Sequence, residues 1–473
     1  MRETRHSPHH RQQGFSSLDP DRICTGSISR PIAAHRVGKR FPGSGMMQSY
    51  TSLKKSIKYS YTQFVKASSG ILTLEATGFS NRIKRASQDI PEIGAGRTGW
   101  WEVVQIVQVE SSGPSSDIGV TSDEPVYVIQ WDHGRVRDAR IFSRLPEGRI
   151  ALSSPPLSPK APSPRFAGTV GVVICTRDRP GHLKACLESL KTQSRTPDEI
   201  VVVDNASATA ETRDVCETAG VRYVREDRPG LDFARNTGLR ASTTDLLAFT
   251  DDDVVLHGSW MERLADAFDE ERVDAVTGLV LPLRLETRAQ MIFETHWSFG
   301  RGFERIDFTP EQFSASCKTG FPAWDIGAGA NMAFRRSVFN RIGEFDEALG
   351  AGASGCSDDS EVWYRIVGTG GTCRYEPGAI VFHDHRDTLT GLQSQLRAYM
   401  RGHVAALRVQ AQRFPGQGNL RRIAVTLPAW YLKRVLSRLR HGRSNETYFV
   451  FDEIRGCLEG LVYPLGERRR RLT

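Results

Sequence analysis

An α/β fold with a doubly wound, mostly parallel sheet is predicted for the middle of this chain by three observations. Short apolar runs alternate with segments of helical period from Val170 onward, a proline-rich stretch separates them from what precedes, and acidic residues recur just after the apolar runs. Strands alternating with helices imply parallel βαβ units with right-handed crossovers. In such sheets ligands bind at the carboxyl ends of the strands, so the polar residues after each run carry the interest.

The elements follow in order. Val170 to Thr176 reads as a buried strand, and Pro180 to Gln193 carries Leu183, Cys186, Leu187 and Leu190 at helical spacing. Ile200 to Val203 is a second apolar run, ending in Asp204. A helix from about Ala210 to Ala219 leads to a strand at Val221 to Val224, then a helix from Leu231 to about Thr243 and a strand at Leu246 to Thr250. Later come a helix over Arg335 to Arg341, a helix start at Ser357 to Trp363 and an apolar strand at Ala379 to Phe382.

Around this core the 473 residues divide further. Residues 1–50 are rich in Arg, His, Ser, Gly and Pro without hydrophobic period, which predicts a disordered tail. Residues 70–150 form a small β-rich N-terminal module, with Val126 to Trp131 and Arg135 to Phe142 joined by the turn Asp132-His133-Gly134. No chemistry is visible in it. Residues 151–167 are a Pro/Ser-rich linker, since prolines fit neither helix interiors nor sheet centres. The α/β unit is expected over 168–390, and 391–473 is a basic helical C-terminal extension.

Composition excludes some classes. Hydrophobic content of 39% and charged content of 25% are those of a globular protein, and no apolar run approaches the roughly 20 residues that cross a bilayer. Eight cysteines without metal-ligand spacing read as reduced thiols. The first residues are basic with no apolar core behind them, so no secretory leader is expected and the protein is placed on the cytosolic side. A net charge of +8, concentrated near the C-terminus, reads as a solvated basic face or, more sharply, as a surface for anionic lipid or a phosphate-bearing acceptor, with no nucleic-acid partner expected. Amphipathic helices beyond Leu389 cap the core or lie on a membrane.

Four polar clusters follow the strands: Thr176-Arg177-Asp178-Arg179, Asp204-Asn205-Ala206-Ser207, Asp227-Arg228-Pro229-Gly230 and Asp251-Asp252-Asp253. The first lacks the glycines of a dinucleotide fold, and no phosphate loop occurs, so a nicotinamide enzyme and a P-loop ATPase are excluded. Three adjacent carboxylates repel one another unless a positive charge sits among them. Mg²⁺ or Mn²⁺ suits such oxygen ligands and also bridges diphosphates. A water-exposed turn, or a helix N-terminus, is the plainer alternative.

In these stretches the chain resembles the family 2 glycosyltransferases of the type A fold. Further matches are Pro229 to Gly238, Gly327-Ala328-Gly329-Ala330-Asn331, Ile342 to Asp346, Ser357-Asp358-Asp359-Ser360-Glu361 and His383-Asp384-His385, all in the family's order. The resemblance implies an inverting, metal-dependent transferase that uses a nucleotide-diphosphate sugar donor and a glycan or lipid-linked acceptor. Donor binding falls to Thr176, Arg179, Asp204, Arg235, Asp251, Asp252, Gly329 and Asn331. Asp253, with Asp252 and His383, would hold Mn²⁺ or Mg²⁺, and Asp359 would be the general base, with Asp358 beside it. His385 carries a weaker expectation of the same kind. Processive synthases of this family carry a Gln-x-x-Arg-Trp motif; Gln395-Leu396-Arg397 lacks the tryptophan, so transfer of a single sugar is expected. Rival readings are a catalytically inactive nucleotide-sugar-binding or assembly protein, and a nucleotidyltransferase, which would want a glycine-rich basic loop after the first strand.

Overall fold

Why the apolar runs become strands is visible in how they are buried. In the computed structural model, which describes residues 62–63, 104–110, 115–117, 126–142, 149–151, 165–442 and 444–465, Val170, Val172 and Ile174 enter one core and Val173 enters the other. That alternation is the period of two of an extended chain with both faces covered.

The central sheet comprises β1 (Val170–Thr176), β2 (Glu199–Asn205), β3 (Arg222–Glu226), β4 (Leu246–Asp251), β5 (Val254–Leu256), β6 (Val273–Pro282), β7 (Ile306–Phe308), β8 (Asn331–Arg335) and β9 (Thr372–His383). Their order is β5-β9-β6-β8-β4-β1-β2-β3, with β7 beside β9. The expected doubly wound sheet is present, and β4, β1, β2 and β3 are all parallel. The other half is mixed: β8 runs antiparallel to β4 and β6, and β5 antiparallel to β9. Strand order reverses between β1 and β4, the switch point at which a crevice opens beyond the carboxyl ends.

Helices α1 (Pro180–Leu190), α2 (Glu211–Ala219), α3 (Leu231–Ala241) and α4 (Trp260–Asp266) cross over these strands. One face of the sheet packs Leu183, Leu187, Trp260 and Leu264; the other packs Ala234 and Leu239. Gly238 lets α3 approach closely, because a Cβ there would lie 2.4 Å from Val173 Cγ1. Next come α5 (Arg288–Trp297), α6 (Pro310–Ala315), α7 (Val338–Ile342), α8 (Asp358–Gly368), α9 (Leu389–Arg413), α10 (Leu427–His441) and α11 (Val450–Val462). The helix expected from Arg335 is shorter, since Arg335 still belongs to β8.

The N-terminal strands Gln105–Glu110, Val126–Asp132 and Arg135–Phe142 form a sheet of their own, with Thr62–Gln63 at one edge. The expected hairpin turns at His133, in a left-handed conformation (φ 50°), and Gly134. Ile106, Tyr127, Ile129 and Trp131 pack with Leu279 and Leu281 of β6 and Ile380 and Phe382 of β9. Residues 1–50, most of the linker and the terminal Arg468 to Arg471 lie outside the described residues.

Candidate active site

A crevice of roughly 720 Å³ opens at the switch point. Thr176 and Arg179 (the end of β1 and just beyond), Arg235 (α3), the Asp251 to Asp253 turn (from the end of β4), Gly329, Asp359 (α8) and His383 (end of β9) all line it. These segments lie far apart in the chain and meet at the same edge of the sheet, where β1, β4 and β9 end and α8 begins.

The three acids of the turn are not equivalent. Asp252 is buried, with one oxygen accepting from the Thr176 hydroxyl (2.7 Å) and the other from Arg179 Nη1 (3.0 Å). Arg179 also donates to Asp253 Oδ2 at 2.9 Å. The other oxygen of Asp253 lies 3.4 Å from His383 Nε2. Asp251, Asp253 and His383 offer ligand atoms that all lie within 4.8 Å of one another. Bonds of about 2.1 Å to a small divalent cation place its ligand atoms up to roughly 4.2 Å apart, so slight closure of this set makes a site. Two carboxylates and an imidazole suit Mn²⁺. Burial lowers His383 to about 4, which leaves its ring neutral with a lone pair to offer. Burial and the charge of Asp253 raise Asp251 to about 7, the strain of crowded carboxylates that a cation would relieve. Asp252, expected to share in the metal, is fully engaged by Thr176 and Arg179 and stands outside this group.

Arg235 is the cation beneath the crevice. It is buried, pairs directly with Asp358, and lies 3.6 Å from Asp232 and 3.9 Å from Asp251. Asp232, one helical turn before it, is fully buried without a hydrogen-bond partner, and burial raises its carboxyl to about 8. Asp358 and Asp359 are thereby told apart: Asp358 is committed to Arg235, while Asp359 faces the crevice and accepts from the Ser360 amide at 2.6 Å. Both lie in the first turn of α8, where the helix dipole favours carboxylates. Gly329 sits between these groups. A Cβ there would lie 2.7 Å from Arg235 Nη2 and 3.2 Å from Asp359 Oδ2, so a side chain at this position would push both groups aside.

Two expected donor residues do not face the crevice. Asn331, the first residue of β8, is fully buried. Its amide accepts from Trp260 Nε1 at 2.8 Å and donates to the carbonyls of Leu279 (3.0 Å) and Ala379 (2.9 Å), joining β6, β9 and α4. Asp204 is 1% exposed and accepts from the Ser207 amide (3.1 Å), the Tyr223 hydroxyl (2.8 Å) and Arg225 Nη1 (2.9 Å). Burial opposes its charge, yet those bonds hold its carboxyl below the usual value. Its neighbour Asn205 lines the crevice instead.

Sequence reasoning missed Asp232, although its spacing of three from Arg235 puts both on one helix face. It also missed the aromatic wall of Trp297, Phe299, Trp324 and Tyr399, which lines the crevice on the α5 and α9 side. Those residues come from three separate segments, and no local pattern joins them.

Residues 171–343 match the family model of glycosyl transferase family 2. The pre-mycofactocin glycosyltransferase of Mycobacterium tuberculosis is 30% identical over 268 residues, covering 55% of this chain and 52% of that protein. The glucosyl-dolichyl phosphate glucuronosyltransferase of Haloferax volcanii is 27% identical over 195 residues, covering 38% of this chain and 57% of that protein. The chain thus spans about half the length of these relatives. Among solved structures, mannosyltransferase PcManGT from Pyrobaculum calidifontis, in complex with GDP-Man and Mn²⁺, is similar at a TM-score of 0.42 and 20% identity, covering 64% of this chain and 89% of that one. The matched stretch, residues 171–343, contains the Asp204 and Asp251 to Asp253 strand ends, and over it the chain is similar to glycosyl transferase family 2.

Proposed function

We propose that this protein is an inverting glycosyltransferase that moves one sugar from a nucleotide-diphosphate sugar to an acceptor hydroxyl. The observation that carries this reading is the shared crevice. The Asp251, Asp253 and His383 cluster lies on one side of it, and the Asp359 carboxylate, anchored at the start of α8, opens onto the same space. Asp359 takes the acceptor proton as the acceptor oxygen bonds to the anomeric carbon and the bond to the diphosphate breaks on the opposite face. When bound, Mn²⁺ or Mg²⁺ offsets charge on the leaving diphosphate. Arg235 orients Asp358 and adds positive charge beneath the donor. Thr176 and Arg179 hold the acidic turn in shape. The base of the donor is assigned to the pocket around Asn205, with Asp204 acting through Tyr223 and Arg225.

The aromatic wall supports a glycan or lipid-linked acceptor, since aromatic faces cover apolar surface while leaving hydroxyls free to bond. A panel of UDP-, GDP-, dTDP- and CMP-linked sugars with Mn²⁺ tests the whole reading. One class should raise the melting temperature and be turned over. Binding without turnover of any donor would favour an inactive nucleotide-sugar-binding protein.

No helix among the described residues is long and apolar enough to cross a membrane. Peripheral attachment to the cytosolic face is the accompanying proposal. On α10, Leu432, Leu436 and Leu439 are 59%, 55% and 74% exposed at helical spacing, with Lys433 and Arg440 exposed beside them. An apolar stripe with a basic rim suits an anionic lipid surface. The chain should sediment with phosphatidylglycerol vesicles and not with phosphatidylcholine, and Leu436→Asp should release it. Equal binding to both lipids, or no effect of the substitution, would refute this.

A further inference from the structure

His383 is the inner end of a line of hydrogen bonds that leaves the catalytic domain. Its Nδ1 lies 2.9 Å from Nδ1 of His385, and Nε2 of His385 lies 3.1 Å from Glu294 Oε2. The Tyr127 hydroxyl donates to the other oxygen of Glu294 at 3.1 Å. Four segments supply these groups: the end of β9, the residues just beyond it, α5, and a strand of the N-terminal sheet. The His385 and Glu294 side chains are 2% and 8% exposed, so water competes little for these bonds. The rings are also clamped by packing, with Phe293 4.6 Å from His385 and Phe299 5.4 Å from His383.

The proton positions follow from what each group can do. An ionised carboxylate only accepts, so Nε2 of His385 carries a proton toward Glu294. A neutral imidazole has one donor and one acceptor, so with both rings neutral Nδ1 of His385 accepts and Nδ1–H of His383 is the donor to it. Nε2 of His383 is then left with its lone pair, and that is the atom facing Asp253.

We propose that Glu294, His385 and Tyr127 are positioning residues that lock His383 in the tautomer presenting its Nε2 lone pair to the Asp251 and Asp253 carboxylates. The inference rests on the metal reading of that cluster, and it makes the N-terminal sheet part of the cation site's support. Groups that orient a ligating histidine through its other nitrogen are worth roughly 10- to 100-fold in metal affinity.

The test uses the full chain with ¹⁵N-labelled histidine and, separately, Mn²⁺ alone titrated by loss of its free electron-spin-resonance signal. In the wild type, long-range ¹H–¹⁵N spectra should show His383 protonated at Nδ1 and His385 at Nε2. Glu294→Ala should weaken Mn²⁺ binding by roughly 10- to 100-fold and unlock the His383 tautomer. Tyr127→Phe removes one hydroxyl and keeps the ring packing, so it should stay folded and weaken Mn²⁺ binding by about 10-fold or less. A wild-type His383 protonated at Nε2 overturns the proposal. Unchanged Mn²⁺ affinity in both variants, with melting curves showing them folded, overturns it as well. A wild type that takes up no Mn²⁺ refutes the metal reading instead, and the tautomer spectra then still decide the hydrogen-bond line by itself.

Discussion

Asp359→Asn is expected to cut sugar transfer by roughly 10² to 10⁴, the usual worth of a general base, with donor affinity near its original value. Asparagine keeps the shape of the side chain and an oxygen to accept from the Ser360 amide, so the start of α8 is undisturbed. What it loses is basicity. Single-turnover rates measured beside donor titrations separate the two effects. The geometry makes the contrast with Asp358 sharp, because Asp358 is buried against Arg235 and its replacement would weaken that cation's one direct ion pair, leaving only the more distant Asp232 and Asp251. Asp358→Asn should therefore lower the melting temperature as well as the rate, whereas Asp359→Asn should lower the rate alone. Full activity of Asp359→Asn would move the base elsewhere.

Asp253→Ala is expected to remove metal-dependent donor binding, a loss exceeding the roughly 10- to 100-fold that an outer partner costs. Asp253 is the acid of the turn that both anchors to Arg179 and approaches His383. Arg179 retains Asp252 after the substitution, so the turn should keep its shape. Titrating the donor that is active in the panel, with Mn²⁺ and with chelator, is the direct measurement. Wild type should respond to the metal and the variant should not. An affinity that is metal-dependent and equal in the two proteins would exclude Asp253 as a ligand.

Local order along the chain was enough to place most of this architecture. Val170 to Thr176 and Leu246 to Thr250 are apolar at every turn of the pleat, so they could only be strands buried on both faces, and both are neighbours in the sheet. The glycines and acids after them could be placed at one edge because parallel strands all end on the same side. What could not be read was orientation within each cluster. Asp251, Asp252 and Asp253 are chemically alike and adjacent, and packing alone turns Asp252 to Thr176 and Asp253 to His383. Asn331 looks like a ligand-facing residue until β6, β9 and Trp260 close around its amide. The resemblance singled out His383 and, more weakly, His385, but not what lay behind them.

By itself, then, the sequence determined the α/β class and the strand ends that bear acids, because hydrophobic period and chain order are local properties. Tertiary structure alone decided which carboxylate points at which partner and that Tyr127 and Glu294, 167 residues apart, join the line behind His383. Those pairings depend on side-chain direction and on burial by distant segments, and neither is set until the sheet and its covering layers close together.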